Sequence, residues 1–243
     1  MKKRGQFSIF VIIAVLIIGS VIGLYYFNKK NIDSDSADSR LIHDFVENCI
    51  KETGINVIYK IGEGGGYYSP KFATDSGVSY YYADGKNYMP LKSDIEKEIS
   101  LQVSEELSNC IRDFSSFPDF NVSRGNINSK AEIENKSVIL NIDYPLSVNK
   151  NGRTTKYEKF DSEIPIKFGI LYSSADEFIK EQLSHESICI SCLVNISIKN
   201  DFYVDMSDYS NDTTIFIFRD EKNKINEKEF SLIFANKYKY EEE

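Results

Sequence analysis

Residues 138–144 read Val-Ile-Leu-Asn-Ile-Asp-Tyr, and this stretch sets the fold class. Val138, Leu140, Ile142 and Tyr144 alternate with Ile139, Asn141 and Asp143, leaving one face more apolar than the other. A period of two with one greasy face is the pattern of a half-buried strand. Upstream the period is helical. Ile42, Phe45, Val46 and Cys49 recur at three and four, predicting a helix from Arg40 to about Tyr59. Ser93 and Glu96 have the spacing of a capping box. The helix they open carries Ile95, Ile99, Val103, Leu107, Cys110 and Phe114 on one side. Downstream, Asn151-Gly152 is a hairpin turn signal. Phe160, Ile164, Ile166 and Phe168 keep the alternation, and Pro165 marks an edge or a bulge. Ser173 or Ser174 is placed to cap a short helix bearing Phe178, Ile179 and Leu183. Strand patterns follow at Leu193–Ile198 extending to Met206, at Thr214–Phe218 and at Phe230–Ala235. Helices first and strands later predict an α+β domain over residues 40–243, with helices packed on one face of a mostly antiparallel sheet.

Between the two helical patterns, residues 61–90 hold six of the 13 glycines and six of the 16 tyrosines. Asp84-Gly85 is a turn signal between short Tyr-rich strands. Tyrosine offers a broad apolar face and a hydroxyl at low entropic cost, so Tyr67, Tyr68, Tyr80, Tyr81 and Tyr82 are candidates for a recognition surface. The bland alternative is a loop with its aromatics packed inward. Gly62 to Gly66 is not a phosphate loop, because no Gly-Lys-Ser/Thr closes it.

The chain has 243 residues and a net charge of −8. Phe7–Phe27 is a run of 21 residues with no charge, preceded by Lys2, Lys3 and Arg4 and followed by Lys29 and Lys30. As a helix it reaches about 30 Å, the thickness of a bilayer core. It is longer than a secretory signal core and lacks a small-x-small cleavage site, so residues 1–30 are expected to be a leader and a retained N-terminal transmembrane helix. Residues 31–39 form a polar, acidic linker in which Asp38 or Ser39 is placed to cap the next helix. Beyond Lys30 there are 24 basic against 37 acidic residues, a balance of −13, which excludes a broad basic face for nucleic acid. Gly19 and Gly23 form GxxxG, which lets two spans approach closely and pair.

Lys3-Arg4-Gly5-Gln6 followed by Phe7-Ser8-Ile9-Phe10 resembles the class III leader of archaeal type IV pilin-like proteins. The resemblance implies cleavage between Gly5 and Gln6, leaving the span attached. Many pilins carry Glu five residues after the cut, where this chain has Phe10. It is also similar to uncharacterised archaeal single-span surface proteins that open on K-R-G-Q.

Cys49, Cys110, Cys189 and Cys192 are the four cysteines, and an even count in an exported domain favours two disulfides. Cys49 and Cys110 fall on the apolar faces of two predicted helices, so burying those faces together could join them. Four cysteines allow three pairings, and sequence alone does not choose among them. Cys189-Ile190-Ser191-Cys192 is a C-x-x-C for which three readings stand: a local structural disulfide, a redox pair, or metal ligands together with His185. A redox pair would open a helix after a strand, whereas here it is expected between a helix and a strand. Asn121, Asn135, Asn195 and Asn211 each begin an N-x-S/T sequon that permits glycosylation outside the cell. The only histidines are His43 and His185, and no hydrolase, metalloprotease or EF-hand motif surrounds them. No cofactor or metal motif is present. The sequence therefore points to a single-pass, membrane-anchored protein with an extracytoplasmic head, acting as a structural or binding module toward a protein or glycan partner. The alternatives are a pilin-like filament subunit and an envelope thiol or metal enzyme built on Cys189 and Cys192.

Overall fold

The computed structural model describes residues 40–238. The leader, the apolar run Phe7–Phe27, Gly5 and Gln6, Gly19 and Gly23, and the linker lie outside these residues. Among the described residues no helix is long and apolar enough to cross a membrane.

The architecture is α+β. Helix α1 (40–63) is followed by the hairpin β1 (Tyr80–Ala83) and β2 (Lys86–Asn87), then α2 (Lys92–Ile111). Strands β3 (Asn121–Arg124), β4 (Asn128–Ile133), β5 (Val138–Lys150) and β6 (Arg153–Ile164) come next. Helices α3 (Phe168–Gln182) and α4 (Ile190–Asn200) precede β7 (Tyr203–Ser210), β8 (Thr213–Ile225) and β9 (Lys228–Lys237). The strands form two sheets rather than the single one expected. One runs β2-β1-β9-β8-β7, and in the other β5 pairs with β3, β4 and β6. Every pairing is antiparallel except β1 with β9. One cluster of buried side chains runs across both sheets.

Residues 138–144 form the heart of β5, with Val138, Leu140, Ile142 and Tyr144 buried. The β5–β6 turn falls on Asn151-Gly152, both at positive φ (54° and 80°), as a tight two-residue turn requires. β6 stops at Ile164, and Pro165 follows it on the sheet edge.

Three local expectations are corrected. No capping box forms: α2 begins at Lys92 with Leu91 at its cap and no side-chain cap bond. Glu96 instead accepts the Ile133 N–H at 2.9 Å. Ser100 Oγ accepts the Ala131 N–H at 2.8 Å, and Ser104 Oγ accepts the Ser129 N–H at 3.1 Å. Residues four apart on a helix rise about 6 Å and residues two apart on a strand about 6.6 Å, so a polar stripe on α2 matches successive amides of β4. The free edge of β4 is thereby closed. Second, Ser173 and Ser174 lie inside α3, which starts at Phe168. Third, Leu193–Ile198 is helical, as part of α4, and only the chain from Tyr203 is strand.

α1 touches both sheets. A Cβ added at Gly54 would stand 2.5 Å from the Leu140 side chain of β5, and one at Gly62 would stand 2.5 Å from the Ser231 carbonyl oxygen of β9. Alanine at an exposed helical glycine stabilises by about 1 kcal/mol. Gly62→Ala should do the opposite and destabilise by about 1–3 kcal/mol, because a backbone atom blocks the methyl group. Urea unfolding of the variant checks the sign.

Candidate functional site

The Gly/Tyr segment divides into a buried part and an open part. Tyr81 is fully buried, its ring stacked on Phe234 at 4.5 Å and its hydroxyl donating to the Gly65 carbonyl at 3.2 Å. Tyr82 is also buried and leans on Tyr238. These two rings hold β1 onto β9 and present nothing to a ligand. Tyr68 is half-buried against α2: its hydroxyl donates to Glu106, its N–H donates to Glu98 at 3.2 Å, and the Lys60 ammonium sits 3.5 Å above its ring. Tyr67 is half-buried as well. Burial, then the nearby Asp94 and Glu98 carboxylates, push its phenol above the usual range, so it stays protonated and able to donate.

Tyr80 differs: the register of β1 against β9 shifts between Tyr80 and Tyr82, and Tyr80 is only half-buried. Its ring lies 5.0 Å from Phe72, and Phe72 lies 4.9 Å from Tyr88. Phe72 is 49% exposed and Tyr88 44% exposed. The three rings form an open aromatic platform. Its base is rigid: Tyr80 N–H donates to the Phe72 carbonyl at 3.1 Å, and Tyr88 N–H donates to the Tyr81 carbonyl at 2.8 Å. Sequence reasoning selected Tyr80 but missed Phe72 and Tyr88 as its companions. The signal available for Tyr88 was the Asp84-Gly85 turn, which returns it beside Tyr81; Phe72 comes in through the Ala73–Ser79 bridge, which no local pattern marks.

The cysteines form two bonds, Cys49–Cys110 and Cys189–Cys192, and no free cysteine remains among the described residues. Cys49–Cys110 ties α1 to α2 with a Cα separation of 5.7 Å. Cys189 caps the N-terminus of α4, so this C-x-x-C opens a helix, unlike the helix-to-strand turn expected for it. The turn before it is organised by Gln182, which is fully buried. Gln182 Nε2 donates to the carbonyls of His185 and Ser187 at 3.1 and 2.8 Å. Its Oε1 accepts the Cys189 N–H at 3.3 Å and the Tyr238 hydroxyl at 3.4 Å. A ligand atom from each of His185, Cys189 and Cys192 lies within 4.8 Å of the others. While the two sulfurs are bonded to each other they offer no thiolate to a metal.

All four sequon asparagines are exposed: Asn121 on β3, Asn135 in the β4–β5 turn, Asn195 on α4 and Asn211 in the β7–β8 turn. His43 is held by packing, its ring 4.9 Å from Tyr157 and 5.1 Å from Phe160, with Nδ1 3.6 Å from the Glu47 carboxylate. No family model, curated protein or solved structure matches the chain.

Proposed function

We propose that this chain is a membrane-anchored binding module. Phe7–Phe27 is the anchor, residues 40–243 form the extracytoplasmic head, and the platform of Phe72, Tyr80 and Tyr88 is the recognition surface. The platform carries the reading. The Tyr80 and Tyr88 rings each lie about 5 Å from Phe72, and Phe72 and Tyr88 stand open to solvent on a frame fixed by main-chain hydrogen bonds. Flat aromatic surfaces with phenol hydroxyls suit stacking on the apolar face of a sugar ring. The export side is supported by two disulfides, which persist in oxidising compartments.

The chain contains no tryptophan, so its emission comes from its 16 tyrosines, Tyr80 and Tyr88 among them. Titration of the full chain in detergent with neutral hexose and N-acetylhexosamine oligosaccharides should give a saturable change. Phe72→Ala/Tyr88→Ala should abolish it while leaving the circular dichroism intact. A wild-type chain silent across both sugar classes overturns the glycan reading. Protease added to intact cells should digest the head, and protection of the head overturns the topology.

A further inference from the structure

The five-stranded sheet ends on β7, whose outer edge pairs with no described strand. The other long edge, β6, carries six charged side chains in 12 residues, the usual protection against strand addition. β7 reads Tyr-Val-Asp-Met-Ser-Asp-Tyr-Ser over eight residues, with no lysine, arginine or proline, and all but Val204 are exposed. Beside it, α4 turns an apolar stripe outward: Ile190 is 48% exposed, Val194 49% and Ile198 75%. Spacing of four puts these three on one helix face. The stripe and β7 line a groove of about 540 Å³ with Tyr203 and Met206 on its strand side.

We infer that this edge is a self-association surface, on which a second copy of this chain lays its own β7 antiparallel. Antiparallel neighbours face each other residue by residue, and opposed side chains share a sheet face. Centring the pair on Met206 sets Met206 against Met206 and Asp205 against Ser207, and leaves Asp208 opposite Val204. Centring on Asp205 sets two carboxylates face to face. Centring on Ser207 sets Met206 against Asp208. The Met206 register sets no like charges directly opposite each other and pairs the two methionines at its centre, on the stretch of β7 that is regular from Tyr203 to Asp208. Its two-fold axis is perpendicular to the sheet, so both α4 helices stay on the same face beside the seam. Residues 28–39 span up to about 40 Å when extended, enough slack for two heads on neighbouring anchors to pair side by side. The surface is separate from the aromatic platform, and the inference does not depend on glycan binding.

Opposed residues on antiparallel strands have Cα atoms about 4.5–5.5 Å apart, within the Cα range that a disulfide bridges. Full-length Met206→Cys in detergent should therefore oxidise to a disulfide-linked dimer. Light scattering should show a wild-type dimer, and Ile198→Glu/Met206→Lys should raise its Kd about a hundredfold or more by opposing two lysines at the seam. Both altered residues are at least 45% exposed, so the head stays folded. Gly19→Leu/Gly23→Leu separates any contribution of the span and should leave the Met206→Cys cross-link in place. A monomeric wild type with no cross-link overturns the inference, as does a dimer insensitive to Ile198→Glu/Met206→Lys. A monomer that binds phosphatidylcholine vesicles through the α4 stripe also overturns it and assigns the stripe to lipid.

Discussion

Lys167→Met is expected to destabilise the head by about 3 kcal/mol, the low end of what breaking a buried ion pair costs. Asp220 on β8 is 1% exposed, and the Lys167 ammonium lies 3.3 Å from its carboxylate with a side chain 11% exposed. Lys167 sits immediately before α3 and also donates to the Asp201 carbonyl at 3.1 Å, so one cation joins α3, the α4–β7 turn and β8. Methionine has similar length and packs well, but it leaves the carboxylate uncompensated inside the protein. Two donors remain to it, the Lys222 N–H at 3.3 Å and Asn223 Nδ2 at 2.7 Å, which is why the low end is expected. Lys167→Met/Asp220→Leu should recover more than half of the loss. Lys222 and Asn223 are exposed, so water can replace the carboxylate they lose. Urea unfolding checks both values. A single variant within 1 kcal/mol of wild type would mean that the carboxylate is solvated and that the pair does not hold these elements together.

Neither residue of that pair stood out in the sequence, where the acids and bases are too abundant to nominate any. The hairpins were legible because Asn151-Gly152 and Asp84-Gly85 carry their own turn chemistry, and β5 because its alternation is strict. α4 was misread for a physical reason. Val194, Ile196 and Ile198 alternate with Asn195 and Ser197, yet only Leu193 and Ile196, three apart, are buried. Its helical state comes from tertiary context: the turn held by Gln182, and packing on α3. Ser93 and Glu96 had capping-box spacing, but the Ile133 N–H claims the Glu96 carboxylate. That competition lies 37 residues away and is invisible locally. The five-strand order of the first sheet rests on β1 joining β9 in parallel, a pairing across some 150 residues that no local pattern encodes. The candidate surface was half legible. Tyr composition marked the segment, but only the fold sorts Tyr81 and Tyr82 into the core and brings Phe72 and Tyr88 to Tyr80.

Cys49→Ala/Cys110→Ala is expected to lower the stability of the head by about 4 kcal/mol, whereas Cys189→Ala/Cys192→Ala should cost about 2 kcal/mol. The difference comes from the unfolded chain. The first bond spans 61 residues and the second spans three, so the first removes far more freedom from the denatured state. In the folded state the two make comparable demands, with Cα separations of 5.7 and 5.3 Å. Both effects should be read as urea midpoints at unchanged secondary structure, together with the m-value. Losing the 61-residue cross-link lets the denatured chain expand, so m should rise in the first variant and hardly move in the second. A larger loss from the short loop would remove the entropic account. It would place the Cys189–Cys192 contribution in the native state, in the hold that Gln182 and the bond together keep on the start of α4. That result would also tie the stripe of Ile190, Val194 and Ile198 to the oxidation state of the bond beside it, because α4 presents the stripe only while its first turn is held.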